Sequence, residues 1–189
     1  MNRVLVVDAC SILDFLKYYI FDKNNGKEVY RTLTEFLLKK IQKKEIIILD
    51  KVYDEINENF YTKDFREAVK PYIVDSLFLF DKINDLIDNN YRKEIEDMFN
   101  YDQVEIDKIL DRYEEKHADL YLIAYCKYLK EQKMKPILIT EETFGDDKKL
   151  IEKIPTICKK EKIEFRKVPY SLFEIYKDEL KFDLEVELI

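Results

Sequence analysis

The chain has 189 residues, enough for one domain with a full core, and 47% of them are hydrophobic, an ordinary fraction for a globular fold. Its 33 basic and 40 acidic residues leave a net charge of −7, which excludes a nucleic-acid binder of the all-basic kind and confines any such contact to a local basic patch. No apolar run approaches the length that spans a bilayer, and the three scattered cysteines, Cys10, Cys126 and Cys158, suit neither a disulfide framework nor a zinc knuckle.

Taken in chain order, residues 3–7 form a short apolar run that reads as a β-strand closed by Asp8. The run is too short to be the apolar part of a signal peptide. With reduced cysteines, a soluble cytoplasmic protein with no membrane contact is expected. A helix is predicted over 29–44, a strand over 45–49 and a second helix over 52–61. Residues 62–115 are charged, with Leu77, Phe80, Ile83, Leu86 and Ile87 at helical spacing, and read as helices inserted into the core by ordinary packing. Turns are expected at Asn89-Asn90 and Asn100-Tyr101-Asp102. A helix over 117–133 and strands over 136–140 and 162–168 follow. The first three strand runs are continuously apolar and suit central strands, whereas the fourth is more polar and suits an edge. Residues 182–189 alternate apolar and acidic, the pattern of a terminal edge strand.

The alternation of strands and helices predicts an α/β fold: a three-layer α/β/α sandwich with a central parallel sheet of four to five strands. One domain is expected over 1–189, with the helical insertion at about 62–115.

Four acids fall where a strand ends or a helix begins. Asp8 closes the first strand, Glu55 follows the second, Asp119 opens an apolar helix and Glu142 follows the third strand. In a parallel sheet the carboxyl ends of the strands share one edge, where such side chains converge. Several carboxylates held close together repel unless a cation sits among them, and oxygen donors suit Mg²⁺ or Mn²⁺. Two such ions about 3.5–4 Å apart can activate water and stabilise the leaving oxygen of a phosphodiester. No phosphate-cradling glycine motif is present. An acid beside a strand end or in the first turn of a helix is also a common cap. The ordered set of four carries the functional reading.

The segments around these acids, Val6-Val7-Asp8-Ala9-Cys10-Ser11-Ile12-Leu13, Val52-Tyr53-Asp54-Glu55-Ile56, Ala118-Asp119-Leu120-Tyr121-Leu122-Ile123-Ala124 and Leu138-Ile139-Thr140-Glu141-Glu142, together cover about a fifth of the chain. In this order the chain resembles the PIN-domain nucleases, including toxin ribonucleases of the VapC type. Lys153-Ile154-Pro155-Thr156-Ile157-Cys158 is similar to a segment of a poorly characterised PIN subfamily. The resemblance implies a Mg²⁺- or Mn²⁺-dependent endoribonuclease, a hydrolase that cuts single-stranded RNA and leaves a 5′-phosphate. It also implies the toxin half of a toxin–antitoxin pair, an antitoxin protein as partner, and a homodimer. Asp8, Glu55 and Asp119 would be catalytic metal ligands, and Glu142 would stand where the family carries a fourth Asp, supported by Thr140. Ser11 would orient Asp8 or donate to a phosphate oxygen. Lys148 would bind phosphate. Glu141, Asp146, Asp147, Asp50 and Asp54 are close rivals as ligands, with Glu141 and Asp146 or Asp147 the rivals for the fourth carboxylate.

His117 reads as a helix-terminal surface residue, Cys10 as a small packed residue and Cys126 as core. Of the clusters Lys39-Lys40 with Lys43-Lys44, and Lys159-Lys160 with Lys162, Arg166 and Lys167, the bland reading is a solvated helix face, favoured for the first. Two rival functions are an aspartyl-nucleophile phosphatase and a catalytically silent PIN-fold protein-interaction module. The first is disfavoured because Cys10 stands where such enzymes carry a second acid.

Overall fold

A computed structural model describes residues 3–18, 26–58, 62–88, 92, 95, 103–116, 118–143, 153–168 and 170–179. Four strands, β1 (Arg3–Val7), β2 (Ile46–Ile47), β3 (Lys135–Ile139) and β4 (Glu164–Arg166), form one sheet in the order β2-β1-β3-β4, and every pairing is parallel. Val4–Val7 and Pro136–Ile139 are buried throughout. Strands covered on both faces carry continuous apolar runs, and that is why these two are legible as the sheet's centre.

The 45–49 run, expected to be central, pairs only at Ile46 and Ile47 and lies at one end of the four-strand order. Ile46–Leu49 are nevertheless buried, and the insertion pairs with the end of the run. Leu49 bridges Val74 in parallel, with Val74 N donating to Ile48 O (3.0 Å) and Asp50 N to Val74 O (3.0 Å). A single bridging valine, in a segment with no strand-length alternation, has no sequence periodicity to announce it.

The insertion holds helices Lys63–Val69, Phe80–Ile87 and Gln103–Lys116. Ile83, Leu86 and Ile87 are core, as their spacing predicts. Leu77 and Phe80 are not, being 76% and 59% exposed. A 3-10 turn, Leu77–Leu79, precedes the helix and places Leu79 inward instead. Three residues per turn replace 3.6 there, so helical spacing misassigns the face.

The helix expected over 52–61 spans Asp50–Glu55 and stops at Ile56, whose backbone is extended. Arg66 closes its end by donating to the carbonyls of Tyr53 and Ile56 while stacking on the Tyr53 ring. Glu55 is therefore the last residue of a firmly capped helix.

Three helices end in one device. Gly26–Gln42, Ala118–Glu131 and Ile154–Lys160 are followed by Lys44, Lys133 and Lys162, at φ 57°, 59° and 54°. In each, the next amide bonds back across the final turn: Glu45 N to Lys40 O (3.0 Å), Met134 N to Leu129 O (3.0 Å) and Ile163 N to Cys158 O (2.8 Å). This is the Schellman arrangement, in which glycine normally takes the left-handed position. Left-handed backbone costs a lysine about 1–2 kcal/mol.

Near the C-terminal helix Tyr170–Tyr176, the Lys40 ammonium is buried between Glu45 (2.7 Å) and Glu179 (2.8 Å), over the Tyr176 ring. Burial alone would lower its proton affinity, but bonds to Glu179 and Glu45 outweigh that and raise it. Residues 182–189, expected to be a terminal strand, and the expected turns at 89–90 and 100–102 lie outside the described residues.

Candidate functional site

The parallel sheet delivers its acids to one edge. Asp8 N donates to Ile139 O (3.0 Å) and Thr140 N to Arg166 O (3.0 Å), so the sheet's ladder continues to the residues of the site. The helix Ala9–Tyr18 starts at once, with Ile12 N bonding Asp8 O (3.2 Å). Asp8 is thus held by strand on one side and helix on the other. Thr140, fully buried, donates its hydroxyl to Asp8 Oδ2 (3.3 Å) and accepts from Glu142 N (3.2 Å). One hydroxyl therefore ties the first acid to the backbone of the fourth.

Glu55 and Asp119 meet from different elements. Glu55 Oε1 accepts the Ala118 N–H (3.1 Å) at the start of helix Ala118–Glu131, and Asp119 is the next residue. Glu142 Oε2 accepts the Ile154 N–H (2.9 Å), capping helix Ile154–Lys160. These two glutamates each spend one oxygen on a helix N-terminus and keep the other. Among the described residues the Asp119 carboxylate accepts no hydrogen bond.

The four carboxylates feel one another. Burial pushes the Asp8 carboxyl up from 3.8 to about 6, aided by the charges of Glu55 and Glu142 and opposed by hydrogen bonds from Ala9 N and Thr140. Asp119 rises to about 7 through burial first, then the charges of Asp8, Glu142 and Glu55. Asp8, Glu55, Asp119 and Glu142 thus lie near enough to one another for the charges of the others to act on Asp8 and Asp119. Neutralising this repulsion takes protons or a cation.

The donor set is all carboxylate oxygen, which matches hard divalent ions in kind. Among the described residues, no three Asp, Glu, His or Cys side chains stand arranged around a common point for an ion. A metal would be held by Asp8 and Asp119 with the free oxygens of Glu55 and Glu142.

Two of the rivals are engaged with backbone amides, as Glu55 and Glu142 are. Glu141 Oε1 accepts Val168 N (2.8 Å), and Asp50 Oδ1 accepts the amides of Lys51 (2.9 Å) and Ser76 (3.2 Å). Asp54 is exposed. Asp146, Asp147, His117 and the predicted phosphate ligand Lys148 lie outside the described residues.

Ser11 is fully buried. Among the described residues its hydroxyl has no hydrogen-bond partner, and it lines an apolar core cavity of about 20 Å³ with Ile12, Phe15 and Leu172. It therefore makes no bond to Asp8. One turn of α-helix brings the residue three after Asp8 round to the core, which the local motif does not reveal.

Cys10, expected to be packed, is exposed beside the acids, and burial of its sulfur together with Asp8, Asp14, Glu55 and Asp119 raises its thiol pKa. Cys126 is buried as expected. Lys51 was missed. It precedes Glu55 by one helical turn, and its ammonium lies 5.2 Å from the Tyr121 ring. Spacing of four residues on a helix carrying a candidate ligand is the signal that marks it.

Residues 6–175 match the model of a family described as DUF4411, a domain of unknown function, and the chain belongs to that family. No curated protein and no solved structure matches it.

Proposed function

We propose that this DUF4411 member is a Mg²⁺- or Mn²⁺-dependent endoribonuclease acting on single-stranded RNA, with Asp8, Asp119, Glu55 and Glu142 as its acids. One observation carries the reading: Asp8 and Asp119, from a strand end and a helix start far apart in sequence, are each pushed towards neutrality by burial first and then by neighbouring carboxylates, with Glu55 and Glu142 acting on both. Such a cluster weakens the fold when empty, so it is a feature a purely structural role does not explain.

Bound Mg²⁺ or Mn²⁺ supplies Lewis acidity to the phosphodiester and lowers the pKa of nearby water. The chain's residues do the rest. Asp8 and Asp119 release their protons to admit the cation, and Thr140 fixes the rotamer of Asp8. Glu55 and Glu142, anchored on helix amides by one oxygen each, present the other. Lys51 brings a positive charge within a helical turn of Glu55. The PIN resemblance extends the reading to the toxin of a toxin–antitoxin pair, with an antitoxin as partner.

The test is cleavage of single-stranded RNA by purified protein with Mg²⁺ or Mn²⁺. Parent activity should disappear in chelator and in Asp8→Asn and Asp119→Asn. Variants that cut as fast as the parent overturn the assignment.

A second reading, a catalytically silent interaction module, is favoured by the two glutamates already engaged as helix caps. Calorimetric titration with Mn²⁺ separates the two: heat of binding that vanishes in Asp119→Asn supports the nuclease, and no heat in the parent supports the silent module.

A further inference from the structure

The edge of the sheet opposite the acids carries the other sign of charge. Arg3 opens β1 and Lys135 opens β3, and the two are paired directly in register. Leu5 pairs with Ile46 and Ile137 with Glu164. Two residues upstream of Ile46 and of Glu164 stand Lys44 and Lys162, in the turns that lead into β2 and β4. With strand order β2-β1-β3-β4, these two flank the Arg3–Lys135 pair, so four basic residues follow one another along the amino edge as a row.

All four residues are exposed. Among the described residues none of them has an ion-pair partner, although the acids beside them in sequence are engaged elsewhere: Glu45 with Lys40, Glu161 with Lys127 and Glu164 with Arg166. Like charges on adjacent strands repel, and Lys44 and Lys162 also hold left-handed backbone that glycine would take more readily. Helix C-terminal dipoles attract cations to Lys44 and Lys162. They do not explain Arg3 and Lys135, which lie within strands. A compensating polyanion does.

We infer that this row binds the phosphate backbone of a nucleic acid, on a surface separate from the acid cluster. Five residues at about 3.3 Å each put Arg3 about 16 Å from Asp8, so the row grips a part of the nucleic acid other than the segment at the acids. The inference goes beyond the cleavage proposal and stands without it.

The test measures binding of a short labelled RNA duplex by fluorescence anisotropy in chelator, so that no cleavage is read. KCl is varied from about 50 to about 200 mM. The variant R3Q/K44G/K135Q/K162G places glycine where the backbone is left-handed, and thermal melting checks that it folds. The slope of log affinity against log salt should fall in magnitude by about 3.6, which is about 0.9 for each of four lost contacts, and affinity at low salt should drop at least about tenfold. K44G and K162G alone should each remove about 0.9 from the slope while melting at or above the parent temperature. R3K/K135R, with charge retained, should keep the parent slope. Slopes that match the parent in every neutralised variant overturn the inference. So does unchanged RNA binding with lost binding to phosphatidylserine vesicles, which would make the row a membrane surface.

Discussion

Replacing Asp119 by asparagine should make the metal-free protein more stable while abolishing its activity. In the fold the carboxyl rises from 3.8 to about 7. At 1.36 kcal/mol per unit, about three units set a ceiling of about 4 kcal/mol on what ionised Asp119 costs the fold. The asparagine amide stays partly buried and recovers less, since an unpaired amide costs about 1–2 kcal/mol. A net gain of about 2–3 kcal/mol remains at pH 8, or about 4–12 °C in Tm for a chain of this size.

The sign follows from the direction of the shift. A carboxyl whose pKa is raised on folding favours the native state only while protonated. Parent stability therefore falls as pH rises from about 4 to about 7, and is level above that. The gap between Asp119→Asn and the parent should be small at pH 4, widen across this window and stay constant at pH 8. Thermal melting in chelator across the pH series reads it directly. Adding Mn²⁺ at about a hundred times its Kd should stabilise the parent by about 2.7 kcal/mol and the variant by far less. A variant less stable than the parent at pH 8, or a gap that does not change with pH, would refute a buried Asp119 carboxyl crowded by like charge.

Ser11→Ala removes a buried hydroxyl without a partner and should stabilise the protein or leave it within about 1 kcal/mol, with RNA cleavage unchanged; a large activity loss would restore Ser11 to the site. Thr140→Val deletes the bond that lowers the Asp8 pKa, so an NMR titration of the metal-free protein should find Asp8 shifted further above about 6, whereas Thr140→Ser should restore the parent value. Arg66→Ala exposes the carbonyls of Tyr53 and Ile56 and should cost about 1–3 kcal/mol by chemical denaturation, with weaker Mn²⁺ binding because Glu55 ends that helix. Lys133→Gly relieves left-handed lysine backbone and should raise stability by about 1 kcal/mol, measured the same way.

Local chemistry made much of this protein legible in advance. Val4–Val7 and Ile137–Ile139 announce buried parallel strands because both faces must be apolar. Asp8, Glu55, Asp119 and Glu142 stand out because a strand end or helix start is itself a short-range signal. That these acids meet at one edge follows from parallel topology, which the alternation of elements already implies.

Long-range register decided the rest. Only the packed structure places Val74 over the edge at Leu49, turns Ser11 towards the core and exposes Leu77 and Phe80 at a 3-10 turn. Only it commits one oxygen of Glu55 to Ala118 and one of Glu142 to Ile154, leaving Asp119 without a donor among the described residues. The row of Lys44, Arg3, Lys135 and Lys162 is likewise invisible in the linear chain, where these residues are scattered among 33 basic ones. Hydrophobic periodicity reports how a segment is buried, but not which distant segment lies beside it. That choice is made by strand pairing and helix packing across the whole chain, and the chemistry of both sheet edges depends on it.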